Sequence, residues 1–242
     1  MKKYTGILQI LKYITYFTEI LPFIFCLFFL SRNNTKNKKV FFLYLLVITI
    51  LIIVVIITRY VYNSLNDYYI VTRVYNILEY TLLSYFFSLY ISNKIVKKVL
   101  RFSPIPFIIF CVYDFIQAKE STLAFLPLIF EYLVLLIFII YFFFEVMQAT
   151  VVEPIYYKSI FWISVAFIIN FSGNFFLFLY SNISFNDEIF RTHFTIIYSS
   201  VTILKNILLC IGVSRKESEK IENSMELGPD FDSFQYFNNH SK

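Results

Sequence analysis

Glycine is scarce in this sequence, with four residues in 242. Glycine supplies the positive-φ positions of tight turns, so a loop-rich soluble fold is excluded. Charge is scarce too, at 15% of residues, where an average soluble domain carries about 25%. That shortage excludes a large soluble catalytic domain, and disorder outside the C-terminal segment. Two histidines, His193 and His240, cannot build the three-histidine zinc site that some membrane hydrolases use. The H-E-x-x-H, G-x-S-x-G and P-loop patterns do not occur. The chain therefore reads as a non-enzyme with no cofactor and no metal site. Cys26, Cys111 and Cys210 all lie inside apolar runs, and no pair has C-x-x-C spacing. They read as small buried hydrophobes.

What is abundant points to a bilayer. Hydrophobic residues reach 59% and aromatics 21%, with 31 Phe and 20 Tyr; mean hydropathy is +0.69. Seven apolar runs stand out, at 13–31, 40–58, 74–92, 102–118, 122–144, 159–180 and 192–213. Each approaches the roughly 20 residues that a helix needs to cross a hydrocarbon core of about 30 Å. The runs are continuous rather than alternating, which argues for helices over an outer-membrane barrel. The expectation is an all-α, polytopic integral membrane bundle of seven transmembrane helices over 1–213, followed by a polar tail at 214–242. Pro104 and Pro106 suit a first helical turn, whereas Pro22 and Pro127 predict kinks. The longest loop is expected at 59–73. The first run is too long for a signal-peptide core and has no small-residue cleavage site, so it is kept as a mature helix.

The net charge of +5 is read as membrane orientation rather than nucleic-acid binding, because the basic residues cluster between apolar runs. Twelve Lys and Arg fall on one side of the predicted spans, including Lys36, Lys38, Lys39, Lys94, Lys97, Lys98 and Arg101; seven fall on the other. The positive-inside rule then places the N-terminus outside and the C-terminus in the cytoplasm.

Ionisable residues within spans are costly and mark candidate sites. Glu19, Glu79, Asp114 and Glu131 lie roughly 9, 8, 6 and 14 Å below the outer ends of their runs, counted at ~1.5 Å per residue. Four acids from four helices thus share an outer layer, joined by Asn170 and Asn174, with His193 at the mouth of the last run. One reading is interhelical glue, with Arg59 and Arg73 as neutralising partners. The other is an outward-facing acidic pocket that senses a cation, a proton or an amine. Asn170 and Asn174 share a face and read first as interhelical hydrogen bonders, while Gly173 between them permits close helix approach. Thr195, Ser199, Thr202 and Lys205/Asn206 repeat every three to four residues and form one polar stripe. Lys205 either pairs with a buried acid or snorkels toward the inner interface. In the tail, D-F-D-S-F-Q-Y-F presents Phe231, Phe234, Tyr236 and Phe237 as a disordered end or as a docking peptide for a cytoplasmic partner.

The segments YNILEYTLLSYFF (75–87), FWISVAFIINFSGNFF (161–176) and ILKNILLCIGV (203–213) resemble those of small, uncharacterised seven-helix membrane proteins of Bacteroidetes-type bacteria. Genes of that group often lie beside a histidine kinase. The resemblance implies a bacterial inner-membrane protein with a sensory or accessory role, a signalling partner such as a histidine kinase, and Glu79, Asn170, Gly173, Asn174, Lys205 and Asn206 as the matching positions. The leading expectation is a bundle that passes a membrane or extracytoplasmic signal to a separate partner. The alternatives are a small transporter using Glu79, Glu131, Asn174 and Lys205 as a relay, and a structural subunit of a membrane complex.

Overall fold

A computed structural model describes residues 2–30, 35–62, 65–117, 125–148, 154–184 and 187–215. Among them the chain is all-helical. Its helices are α1 (Lys2–Leu30), α2 (Lys36–Tyr60), α3 (Leu65–Ser88), α4 (Lys94–Phe102), α5 (Pro104–Gln117), α6 (Phe125–Gln148), α7 (Ser159–Ser184) and α8 (Glu188–Ser214), with a 3-10 turn at Ile155–Tyr157 before α7. Six segments are long and apolar enough to cross a membrane: Leu8–Phe29, α2, α4 with α5, α6, α7 up to Ser181, and α8. This is the architecture of a multi-pass helical membrane protein. α3 is as long as its neighbours but is not among the six, since it carries Asp67, Arg73 and Glu79.

α3 lies among four other helices. It packs against α2, α4, α5 and α6, while α8 packs against α1 and α7, and α6 against α7. Asn76, Glu79, Tyr80, Leu83, Phe86 and Phe87 recur at helical spacing and are all buried, so the face of α3 that carries its polar groups is the face turned inward. With few glycines to bring backbones together, aromatic rings fill the interior. Phe41 meets Phe86 at 4.9 Å, Tyr80 meets Phe107 at 4.2 Å and Tyr132 meets Phe171 at 4.9 Å between ring centroids. Large apolar side chains cover the outside, among them Phe28, Ile116 and Phe176, each more than 70% exposed. An outer surface of that composition is suited to lipid.

Several sequence expectations change. The stretch 59–73 is not a long loop, because α2 continues to Tyr60 and α3 starts at Leu65. Arg59 stacks over the Tyr68 ring at 5.4 Å across that short turn. Pro127 is the third residue of α6 and so lies in its first turn, where proline forfeits no hydrogen bond. No kink is required there. α1 continues as one helix through Pro22. Pro104 does open α5. The basic stretch before it is itself helical, as α4.

Side-chain bonds lace one end of the bundle. Lys38 Nζ donates to the carbonyls of Val213 (3.3 Å) and Arg215 (2.9 Å). It thereby caps the C-terminus of α8, where unpaired carbonyls and the helix dipole favour a cation. Ser159 Oγ donates to the Gly212 carbonyl at 2.6 Å. Glu145 at the end of α6 accepts from the backbone N–H groups of Ser92 (2.7 Å) and Asn93 (3.0 Å).

Two glycines set how closely α7 and α8 approach. A Cβ on Gly173 would stand 2.9 Å from a Val201 methyl; one on Gly212 would meet Ile163 Cγ1 at 2.9 Å and the Ile163 backbone nitrogen at 3.2 Å. Backbone yields less readily than a side chain. Gly212→Ala is therefore expected to cost about 1–3 kcal/mol of stability through overpacking, and more than Gly173→Ala. Gly6→Ala, with nothing within 4 Å, should be neutral or gain up to about 1 kcal/mol of helix propensity. Thermal unfolding of the three variants in one detergent gives the order, and a Gly212→Ala as stable as Gly6→Ala would contradict it.

Candidate functional site: a buried cluster of acids and a lysine

Glu19 and Glu79 lie within electrostatic reach of Lys205, and Glu131 within reach of Glu79. α8 places Lys205 at 7% exposure, α3 places Glu79 at 3% and α6 places Glu131 at 0%. Glu19 of α1 interacts electrostatically with Lys205 and Glu79. Glu79 interacts with Lys205, and Glu131 with Glu79. Lys205 and Glu79 each stand about 14 Å from the C-terminal ends of their helices, which is mid-depth in a hydrocarbon core about 30 Å thick. Four ionisable side chains from four helices therefore share one interior layer.

Hydroxyl groups line this layer. Tyr44 donates to Glu79 Oε1 at 3.3 Å, and Tyr75 is a second hydrogen-bond partner of the same carboxylate. Tyr132 and Tyr198 lie within electrostatic reach of Glu79. Asn206 Nδ2 donates to Thr18 Oγ1 at 3.4 Å, joining α8 to α1 beside Lys205. An open, largely apolar groove of about 290 Å³ runs between these two helices, with Thr18 and Asn206 in its wall and Phe25, Ile207 and Cys210 along it.

Glu131 stands apart from its neighbours. Both of its carboxylate oxygens are buried without a hydrogen-bond partner, as are Asn174 Oδ1, Thr202 Oγ1 and Ser164 Oγ. An unsatisfied buried polar group costs about 1–3 kcal/mol, more if charged. Polar atoms of α6, α7 and α8 are thus buried without a protein hydrogen-bond partner.

Other expected site residues lie elsewhere. Asp114 does not join the layer; its carboxylate accepts from Arg73 Nη1 at 2.9 Å, and Arg73 also stacks over Phe115 at 5.1 Å. The predicted four-acid layer therefore divides into a three-acid cluster and a separate ion pair. His193 is exposed near the start of α8. Asn170 and Asn174 bond to each other within α7, Nδ2 of Asn174 to Oδ1 of Asn170 at 3.1 Å, rather than across a helix interface. Gly173 does mark a close approach. Ser199, Thr202, Lys205 and Asn206 are all buried, so the polar stripe of α8 faces inward. Phe231, Phe234, Tyr236 and Phe237 lie outside the described residues.

The tyrosines escaped the sequence reading. Tyr44 sits in the most uniformly apolar of the runs and carries no charge to flag it; its helical register relative to Phe41, Leu45 and Ile48, all buried, was the available signal. Among the described residues no group of three His, Cys, Asp or Glu side chains is placed to hold a metal ion. Comparison with protein-family models, with curated proteins and with solved structures finds no match.

The unequal satisfaction of the two acids gives opposite expectations. Glu131→Leu removes two unsatisfied oxygens and is expected to hold or raise stability by about 1–3 kcal/mol. Lys205→Met removes the positive charge within electrostatic reach of Glu19 and Glu79 and is expected to destabilise by about 1–3 kcal/mol, the cost of leaving buried polar groups less well compensated. Unfolding of both variants in a common detergent checks the contrast, and a Glu131→Leu as destabilised as Lys205→Met would refute it.

Proposed function

We propose that the chain is a proton-responsive membrane protein of the sensory or accessory class, and that the Glu19–Glu79–Glu131–Lys205 cluster is its responsive element. The observation that carries this reading is Glu131, a fully buried acid with neither oxygen hydrogen-bonded, facing a second buried acid across the layer. Ionisable groups in that setting are expensive and are retained at proton or ion sites more often than for stability. Each proton gained or lost changes the cluster by one unit charge in a medium that screens little. Lys205 then balances a different set of acids, and the helices carrying them, α1, α3, α6 and α8, have reason to repack. A stimulus biases such a bundle only through unequal affinity for its two states.

In this reading α3 is a seventh crossing. Apart from Asp67 in its exposed first turn, its polar residues Asn76, Glu79, Ser84 and Ser88 are buried, which lets a less apolar helix span the bilayer. Seven crossings put the termini on opposite sides. The described end formed by the starts of α2, α4 and α7 and the finish of α8 holds Lys36, Lys38, Lys39, Lys94, Lys97, Lys98, Arg101, Lys158 and Arg215 against Glu145 alone. The positive-inside rule makes that end cytoplasmic and the N-terminus external. A bacterial inner membrane and a partner such as a histidine kinase follow from the family resemblance, with the tail as the surface that would reach it.

A second reading, a small proton or cation transporter, is favoured by the mid-depth position of the cluster on four different helices, where secondary transporters place their sites. The two readings separate by experiment. The full chain, affinity-purified from its native membrane in mild detergent, is expected to bring down a signalling enzyme in stoichiometric amount. The activity of that enzyme in co-reconstituted membranes is expected to follow pH with the native chain and to lose that dependence with Glu131→Gln. Recovery of the chain alone, together with proton flux into proteoliposomes that Glu131→Gln abolishes, would replace sensing with transport.

A further inference from the structure

α4 is a short helix with three chemically distinct faces. At about 100° per residue, Lys94, Lys97, Lys98 and Arg101 fall within an arc of about 100°. Ile95, Val99 and Phe102 occupy the adjacent arc and are 75%, 53% and 54% exposed. Leu100, fully buried, and Val96, half-buried, form the third arc and hold the helix against the bundle.

The helix is fixed at both ends. Asn93 Oδ1 accepts from the N–H groups of Ile95 (2.9 Å) and Val96 (3.3 Å). Glu145 holds Ser92 and Asn93 from the neighbouring α6. At the other end Ser103 separates α4 from the apolar α5, and Ser103 Oγ accepts from the Tyr80 hydroxyl at 2.9 Å. Arg101 lies over the Tyr85 ring at 5.9 Å. α5 alone has 14 residues and covers about 21 Å, short of a core of about 30 Å, so α4 completes the crossing and its N-terminal, lysine-bearing turns reach the depth where hydrocarbon gives way to headgroups.

We propose that α4 is an interfacial helix that binds the phosphate groups of anionic lipids. The basic arc supplies the charge complement, and the exposed apolar arc beside it is matched by acyl chains at the same depth. A soluble acidic protein would match the first arc and leave the second in water. The lipid leaflet satisfies both. The inference requires only that the chain is embedded in a membrane. It does not depend on which end is cytoplasmic or on the role of the buried cluster.

The test is native mass spectrometry of the full chain in neutral detergent, titrated with phosphatidylglycerol or with phosphatidylcholine. The native chain is expected to retain the anionic lipid at least tenfold more strongly. Neutralising α4 in the variant Lys94→Gln/Lys97→Gln/Lys98→Gln/Arg101→Gln should abolish the preference, at roughly fivefold per charge near the surface. Lys36→Gln/Lys39→Gln should leave most of it in place. Equal retention of the two lipids by the native chain, or an unchanged preference in the α4 variant, overturns the proposal. If that variant fails to insert, salt titration of the native chain decides. A preference lost by about 0.5 M salt supports a headgroup contact at the surface, and one that persists overturns it.

Discussion

Lys205 is buried on α8 within electrostatic reach of Glu19 on α1 and Glu79 on α3, and gathering these groups in one interior layer constrains the arrangement of the bundle. A charge at that depth is tolerated only beside opposite charge and hydrogen-bonding groups. α8 must therefore lie where α1 and α3 can both present acids to it. The same requirement explains why α3, the least apolar of the long helices, packs among four others. Its Arg73 and Glu79 find partners on α5, α2 and α8, and the lipid-facing positions are left to aliphatic and aromatic residues.

The rest of the fold follows from packing around that layer with little glycine. Phe and Tyr rings interdigitate through the interior, and Gly173 and Gly212 bring α7 and α8 together where rings would not fit. The opposite strategy governs the end of the bundle, where Lys38, Ser159 and Glu145 bind backbone groups at helix termini. Lys38 contributes to the charge asymmetry, but its immediate role is to cap α8. Glu131 is the exception to this economy, since its carboxylate is buried and unsatisfied. Asn174 on α7 and Thr202 on α8 show the same deficit.

Much of this was legible in the sequence because lipid simplifies the code. Continuous apolar runs located α2, α6, α7 and α8 to within a few residues, Pro104 marked the first turn of α5, and the inward stripe on α8 appeared in the spacing of Ser199, Thr202 and Lys205. The reading failed where polarity was partitioned in three dimensions. Residues 65–73 looked like a loop because Asp67 and Arg73 interrupt the hydropathy, yet they continue a helix whose charges are paired or stacked. α4 looked like a basic loop because its apolar residues are interleaved with lysines, and only the helical register separates the two arcs. Depth along each run grouped Asp114 with the other acids, but depth carries no azimuth, and Asp114 faces Arg73. Tyr44 was invisible because a tyrosine in an apolar run has no charge to betray the carboxylate it meets.

A proton-responsive cluster requires that Glu131 exchange protons within the folded bundle. Infrared difference spectroscopy of the full chain in liposomes, stepped through pH 5 to 9, reads this directly from the carboxyl stretching band of buried acids. A titrating buried-carboxyl band is expected in the native chain and is expected to disappear in Glu131→Gln, with the amide signals of the helices shifting alongside it. A native spectrum with no buried carboxyl titrating in that range, or a band that survives Glu131→Gln unchanged, would contradict the account and leave the cluster as structural glue.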